Sequence, residues 1–157
     1  MTAGRVRGAL ATDLDRVAAL WTAITHHHEP LDAVFTMRRD AGGELRELLR
    51  ALSRDPDCQI FVYDEGGDLP GMLIVRVDHS PPIMQETTRA EITDLGVRAS
   101  ARRRGIATAL LDAALDWVRA SGVTRIEVQV AHANAIGQAF WRARGFGDFM
   151  DVLDKRL

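Results

Sequence analysis

Apolar residues recur along this chain with two different periods, and the switches between them mark its elements. Leu14, Val17, Ala18, Trp21 and Ile24 fall at the three- and four-residue spacing of one helix face. Thr12 can cap that helix, and Asp13 and Asp15 suit its positive start. Before it, residues 6–10 read as a short strand. After it, residues 26–39 lose the periodicity and are expected to form a loop with one helical turn. Leu45, Leu48, Leu49 and Leu52 give the buried stripe of a second helix. Residues 59–63 are strand-like, Asp64-Glu65-Gly66-Gly67 is a turn, and residues 71–77 return as the partner strand of an antiparallel hairpin. Residues 78–88, with Pro81 and Pro82, read as a loop.

The second half alternates more regularly. Residues 89–97 predict a strand. Ala107, Leu110, Leu111, Ala114, Leu115 and Val118 then repeat at helical spacing up to Gly122, which ends the helix. Ile126, Val128 and Val130 alternate in a strand over 124–130, residues 134–144 form a short helix stopped by Gly145, and a last strand is expected over 149–155. A strand, helix and strand in this order predict a right-handed crossover joining parallel strands. With the antiparallel first half, this gives an α/β fold with a mixed sheet and helices on both faces.

Composition narrows the picture. A chain of 157 residues suits one domain, here taken as 1–157. Its formal net charge of −2 favours neither a nucleic-acid coat nor a membrane surface. No apolar run approaches the roughly 20 residues of a membrane span, and the first ten residues lack the apolar core of a signal peptide. A cytoplasmic protein is expected, in keeping with the lone Cys58.

The chemistry concentrates between Glu91 and Thr108. Glu91-Ile92-Thr93-Asp94-Leu95-Gly96-Val97 is a strand. A basic turn follows with Arg102, Arg103, Arg104 and Gly105, and then a helix start at Ile106, Ala107 and Thr108. The first amides of a helix lack internal partners, and the helix dipole adds partial positive charge there, so such an end binds phosphate. Gly105 and small Ala107 allow close approach to the backbone. No Walker loop is present, and the dinucleotide fingerprint is missing two of its glycines. Spacing alone leaves open a plain solvated basic turn.

Two further observations bear on the choice. Arg102-x-x-Gly105-x-Ala107 matches the (Gln/Arg)-x-x-Gly-x-(Gly/Ala) signature of the GNAT N-acetyltransferases, and it lies between a strand and an amphipathic helix as it does there. Asn134 to Phe146, NAIGQAFWRARGF, resembles the family's Asn-x-x-Ala-x-x-Leu-Tyr-x-x-x-Gly-Phe segment. The chain thus resembles the GNAT superfamily, with its motifs in residues 89–146. That resemblance implies a mostly antiparallel central sheet whose parallel central strands splay apart. It implies acetyl-CoA as co-substrate, with pantetheine in the splay against Leu95, Gly96 and Val97. The pyrophosphate would lie on the amides of Arg102, Arg103, Arg104, Gly105, Ile106, Ala107 and Thr108. Asn134 would bond the pantetheine arm, and Trp141 would lie beside the thioester sulfur.

Acetyl transfer needs a neutral amine, although an alkylamine has a pKa of about 10.4. Glu91 is the first candidate to accept its proton and Asp94 the second, both at positions where family members carry an acid. Regular alternation would put these two on opposite faces of the strand. The alternative for each is an ordinary ion pair. Trp141 replaces the family's tyrosine and has no titratable proton to offer the CoA thiolate, so packing is its expected role. His26-His27-His28 with Glu29 and Asp32 invites a metal, but adjacent histidines diverge on a regular element and a structural zinc needs about four converging ligands. No metal is expected.

The expected activity is transfer of acetyl from acetyl-CoA to a primary amine of a small molecule or peptide. The rival is a non-catalytic acetyl-CoA-binding module. A nucleic-acid binder rests on a single basic run and is set aside. Family members often dimerise, but no residue pattern here argues for a homodimer. The acceptor walls are expected from residues 25–39 and 78–88.

Overall fold

The computed structural model describes residues 4–157. A five-stranded sheet runs β1 (Arg5–Gly8), β2 (Cys58–Glu65), β3 (Asp68–His79), β4 (Thr88–Val97) and β5 (Ile126–Val128), in that spatial order. The first three pairings are antiparallel and β4–β5 is parallel. This is the mixed sheet that the two hydrophobic periods predict.

Alternation along β3 divides the core into two layers. Met72 and Ile74 face one side, with Ile60 and Val62 of β2. There they meet Leu14, Val17, Ala18 and Leu20 of α1 (Leu14–His28) and Leu45 and Leu49 of α2 (Gly42–Leu52). Leu73, Val75 and Val77 face the other side. They pack on Ile106, Leu110, Leu111 and Ala114 of α3 (Ile106–Ala120) and Trp141 of α4 (Ala135–Ala143). Gly71 is required where α3 crosses, because a Cβ there would lie 2.6 Å from Ile106 Cγ2.

A buried ion cluster fastens α1 to the sheet. Asp13, 1% exposed, receives Arg7 at 2.6 Å, Arg16 at 2.6 Å and the Leu10 amide at 2.8 Å. Arg7 also holds Asp64 of β2 at 2.7 Å. These arginine bonds hold the Asp13 carboxyl below its usual range, against the opposing effect of burial.

Four expectations need correction. Helix α1 runs through His26, His27 and His28, where a loop was expected. Its last turn is held by the Thr25 hydroxyl on Trp21 O and by His28 Nδ1 on Ile24 O at 2.8 Å. The expected loop over 78–88 is shorter, since β3 continues to His79 and β4 begins at Thr88. Strand β5 is confined to Ile126–Val128, because beyond Val128 the chain leaves β4. Residues 149–155 form no strand. Their apolar side chains, Phe149 and Leu153 against Met150 and Val152, fall on both parities, so no single face can be buried. The segment is held instead by side chains: Arg125 stacks over Phe149, and Arg156 bonds Asp32 at 2.7 Å.

Candidate active site

The site forms where β4 outruns its parallel neighbour. Pairing with β5 covers Ala90, Glu91 and Ile92 and then stops, while β4 continues to Val97. From Thr93 onward, among the described residues, the edge of β4 that faced β5 has no strand beside it. Backbone groups on such an edge are free to bond a ligand. Leu95, Gly96 and Val97 stand on this stretch.

Helix α3 begins directly beyond it. Gly105 is the N-cap and adopts φ +79°, a left-handed conformation that favours glycine. The first internal helical bond runs from the Ala109 amide to Gly105 O at 3.0 Å. The amides of Ile106, Ala107 and Thr108 therefore have no helical acceptor. They open into a cavity of about 310 Å³ lined by Val97, Arg102, Arg103, Gly105, Phe140 and Arg144, among others. Arg103 also has a positive φ, +64°, which turns the loop around this cavity. Free amides, the positive end of a helix dipole and three guanidinium groups fit a diphosphate.

Not every predicted residue faces the cavity. Arg104 turns away to pair with Glu65, whereas Arg102 stays on the cavity wall with its Nε donating to Val97 O at 3.2 Å. Asn134 caps α4, its Oδ1 accepting from Gly137 N at 2.9 Å. Among the described residues its Nδ2 has no hydrogen-bond partner, which leaves a donor for a ligand. Trp141 is buried, with ring centroids 5.1 Å from Phe140 and 5.0 Å from Phe146 in edge-to-face contact. It shares its core cluster with Leu95 and Val97 of β4 and with Val128 and Val130. The aromatic wall of the cavity is Phe140, its neighbour. Sequence reasoning missed Phe140 and Arg144. Arg144 Nη2 bonds Thr108 Oγ1 at 2.7 Å and lies over the Phe140 ring, tying α4 to the start of α3.

The two carboxylates stand differently from the alternation rule. Ile74 of β3 pairs with Asp94, but the next residue, Val75, pairs with Ile92, so Thr93 is an extra residue in β4. This β-bulge resets the parity. Glu91 lies opposite Arg76 and Asp94 opposite Ile74, which puts both on the α1–α2 face, about 7 Å apart along the strand, the spacing of their β3 partners. The expected opposition of the two is thereby overturned. Glu91 is engaged by Arg76 at 3.1 Å and lies 3.4 Å from Gln129 Nε2, where β5 has just departed. Asp94 sits past the end of the β4–β5 pairing and accepts a 2.7 Å bond from Trp21 Nε1. Burial pushes the Asp94 carboxyl above its usual range, against the Thr93 and Trp21 hydrogen bonds and the charge of His28. Gly96 is fixed by the same helix, since a Cβ there would collide with Ile24.

The histidine run gives three separate environments. His26 Nδ1 meets Glu29 at 2.9 Å, His28 Nδ1 meets a backbone carbonyl, and the His27 pKa is pushed down by burial and then by Arg102 and His28. Among the described residues no cluster of three or more His, Cys, Asp or Glu is placed to hold a metal. No described helix is long and apolar enough to cross a membrane.

A pair of parallel strands that part beside an open helix start defines a class of acyl-CoA-dependent folds. Residues 20–146 match the acetyltransferase (GNAT) family, and the chain belongs to it. It is 37% identical over 92 residues to a mycothiol acetyltransferase of Beutenbergia cavernae, a match covering 59% of this chain and 29% of that protein. The chain thus corresponds to about a third of the curated relatives it matches. Its fold is shared with the BH1408 protein of Bacillus halodurans, with a TM-score of 0.86 at 22% identity and coverage of 97% and 99% of the two chains. It is also shared with a predicted acetyltransferase of Clostridium acetobutylicum solved with acetyl-CoA, with a TM-score of 0.78 at 16% identity and coverage of 98% and 96%.

Proposed function

We propose that residues 1–157 act as one catalytic domain that transfers acetyl from acetyl-CoA to a primary amine. The observation carrying this reading is the parting of β4 from β5 beside the open amides of α3. The pyrophosphate takes the amides of Ile106, Ala107 and Thr108, with Arg102, Arg103 and Arg144 around it. Pantetheine runs along the free edge of β4 at Leu95, Gly96 and Val97, bonded on its other side by Asn134 Nδ2. A backbone N–H on that edge faces the thioester carbonyl and stabilises the oxyanion that forms on attack.

Asp94 accepts the amine proton in this reading. It lies closer to the gap than Glu91, and its burial favours the protonated form that it must adopt. Glu91, clasped by Arg76, shapes the floor of the acceptor side. The departing thiol has an ordinary pKa near 8.5, so thiolate leaves without a side-chain acid and water protonates it. Trp141 contributes packing beneath Phe140. The acceptor is an amine of a small molecule or peptide.

A second reading, acetyl-CoA binding without transfer, draws on the absence of a phenol at position 141. A screen of amines with acetyl-CoA, read by thiol release, decides between them. Transfer to any amine above the rate of thioester hydrolysis supports the enzyme. Tight CoA binding with no turnover across the screen supports the binding module.

A further inference from the structure

In the sequence Trp21 is one residue of a helix stripe, yet among the described residues it makes the one side-chain hydrogen bond that joins α1 to the far end of β4. The indole is half-buried. Its carbon skeleton packs with the α1–α2 layer, and its Nε1 donates to Asp94 Oδ1 at 2.7 Å across 73 residues of sequence. A buried indole N–H usually finds an acceptor, and a charged acceptor makes the bond stronger. Two features make this contact specific. The Thr93 bulge turns Asp94 toward α1, and Gly96 lets Ile24, one turn beyond Trp21, sit directly on β4. The indole therefore approaches from a helix that is seated without freedom to slide.

We propose that Trp21 is a positioning residue that fixes the Asp94 carboxylate toward the gap between β4 and β5 and favours its charged form. The proposal rests on the reading of Asp94 as proton acceptor. A base that must be ionised before substrate arrives, yet is partly buried, gains from one fixed donor on the oxygen facing away from the reaction. The remaining groups on this face are His28 of α1, Cys58 of β2, Arg76 of β3 and Glu91 of β4, with the Thr93 hydroxyl beside the carboxylate. His28 and Arg76 favour the charged carboxylate and Glu91 opposes it; the Thr93 hydroxyl is a second hydrogen-bond donor, but it belongs to the same strand, and the indole is the donor that reaches the carboxylate from α1.

The sign of the effect follows. Removing the indole N–H leaves the carboxylate less favoured, so Asp94 ionises at higher pH. Trp21→Phe should move the acid limb of the kcat/KM profile upward by about one pH unit, because a hydrogen bond to a charged group is worth a unit or more of pKa. Affinity for CoA should stay within about twofold of the parent, since Trp21 does not touch the α3 cavity. An unmoved acid limb in a folded Trp21→Phe protein would overturn the proposal.

A second measurement uses the unmutated side chain. In ¹H–¹⁵N spectra of the parent, the Trp21 indole N–H should titrate with pH, and that titration should vanish in Asp94→Asn. Trp117 and Trp141 serve as internal controls. A Trp21 indole indifferent to pH, or one whose titration survives Asp94→Asn, would overturn the proposal even if Trp21→Phe does not fold. Full turnover by Asp94→Asn at neutral pH is a different outcome. It removes Asp94 as the base, and with it the catalytic meaning given to Trp21, whatever the indole resonance does.

Discussion

Gly105→Val separates ligand approach from folding. Gly105 has φ +79°, where an L-residue with a side chain costs about 1–2 kcal/mol and a β-branched one somewhat more. A Cβ at this position meets no heavy atom within 4 Å, so no clash adds to that cost. For a chain of this size each kcal/mol lowers Tm by roughly 2–4 °C. The variant should therefore fold, with Tm lower by about 2–8 °C. The open space beside Gly105 belongs to the cavity onto which the amides of Ile106, Ala107 and Thr108 open, and a branched side chain stands where phosphate oxygens would lie. CoA at a hundred times its Kd stabilises the parent by about 2.7 kcal/mol, equivalent to about 5–10 °C. Differential scanning fluorimetry with and without CoA should show that rise for the parent and little or none for Gly105→Val. A folded Gly105→Val protein with the full CoA-dependent rise would refute the placement of the pyrophosphate.

Asp94→Asn should lower kcat by about a hundredfold or more with CoA affinity retained, whereas Glu91→Gln, which breaks the pair with Arg76, should act mainly on Tm; stopped assays and fluorimetry on both variants check this. In the parent, activity should fall as pH drops through the raised Asp94 pKa, so the acid limb of a pH–rate profile should lie above the usual carboxylate range. Asp13→Asn should cost roughly 3 kcal/mol in urea unfolding, because it leaves Arg16 and part of Arg7 uncompensated. Since the folded-state pKa of Asp13 is depressed, its contribution is complete above the unfolded carboxylate pKa of about 3.9 and is lost as pH falls through the folded value. Urea midpoints of the parent and Asp13→Asn should therefore converge in strong acid. Trp141→Ala should lose about 3–5 kcal/mol of stability, while Trp141→Phe should keep most of the turnover, as judged by unfolding and thiol release.

The second half of the chain was the easier half to read. Helix α3 follows a clean apolar repeat and carries its own start signal in Gly105, so both its position and its open N-terminal end were legible. The mixed character of the sheet followed from one hairpin and one crossover. What could not be read depends on single-residue geometry or on distant contacts. The bulge at Thr93 leaves no mark in the pattern of apolar residues, yet it moves Asp94 to the face of Glu91. The Trp21–Asp94 bond joins residues that the helical stripe and the strand each explain separately. Trp141 occupies the motif's aromatic position and is buried, while Phe140 beside it, which the motif does not single out, lines the cavity wall. The segment 149–155 has strand-like composition without one-sided alternation, and in the structure that lack of one buried face prevails.

The central claim is that CoA binds across the end of β4 and the start of α3. Backbone ¹H–¹⁵N spectra of the parent titrated with CoA test it most directly. The largest shifts should fall on the amides of Leu95, Gly96 and Val97 and on those from Arg102 to Thr108, with the β1–β2 edge of the sheet unmoved. Saturable shifts confined to another surface, or no shifts at millimolar CoA, would contradict the account.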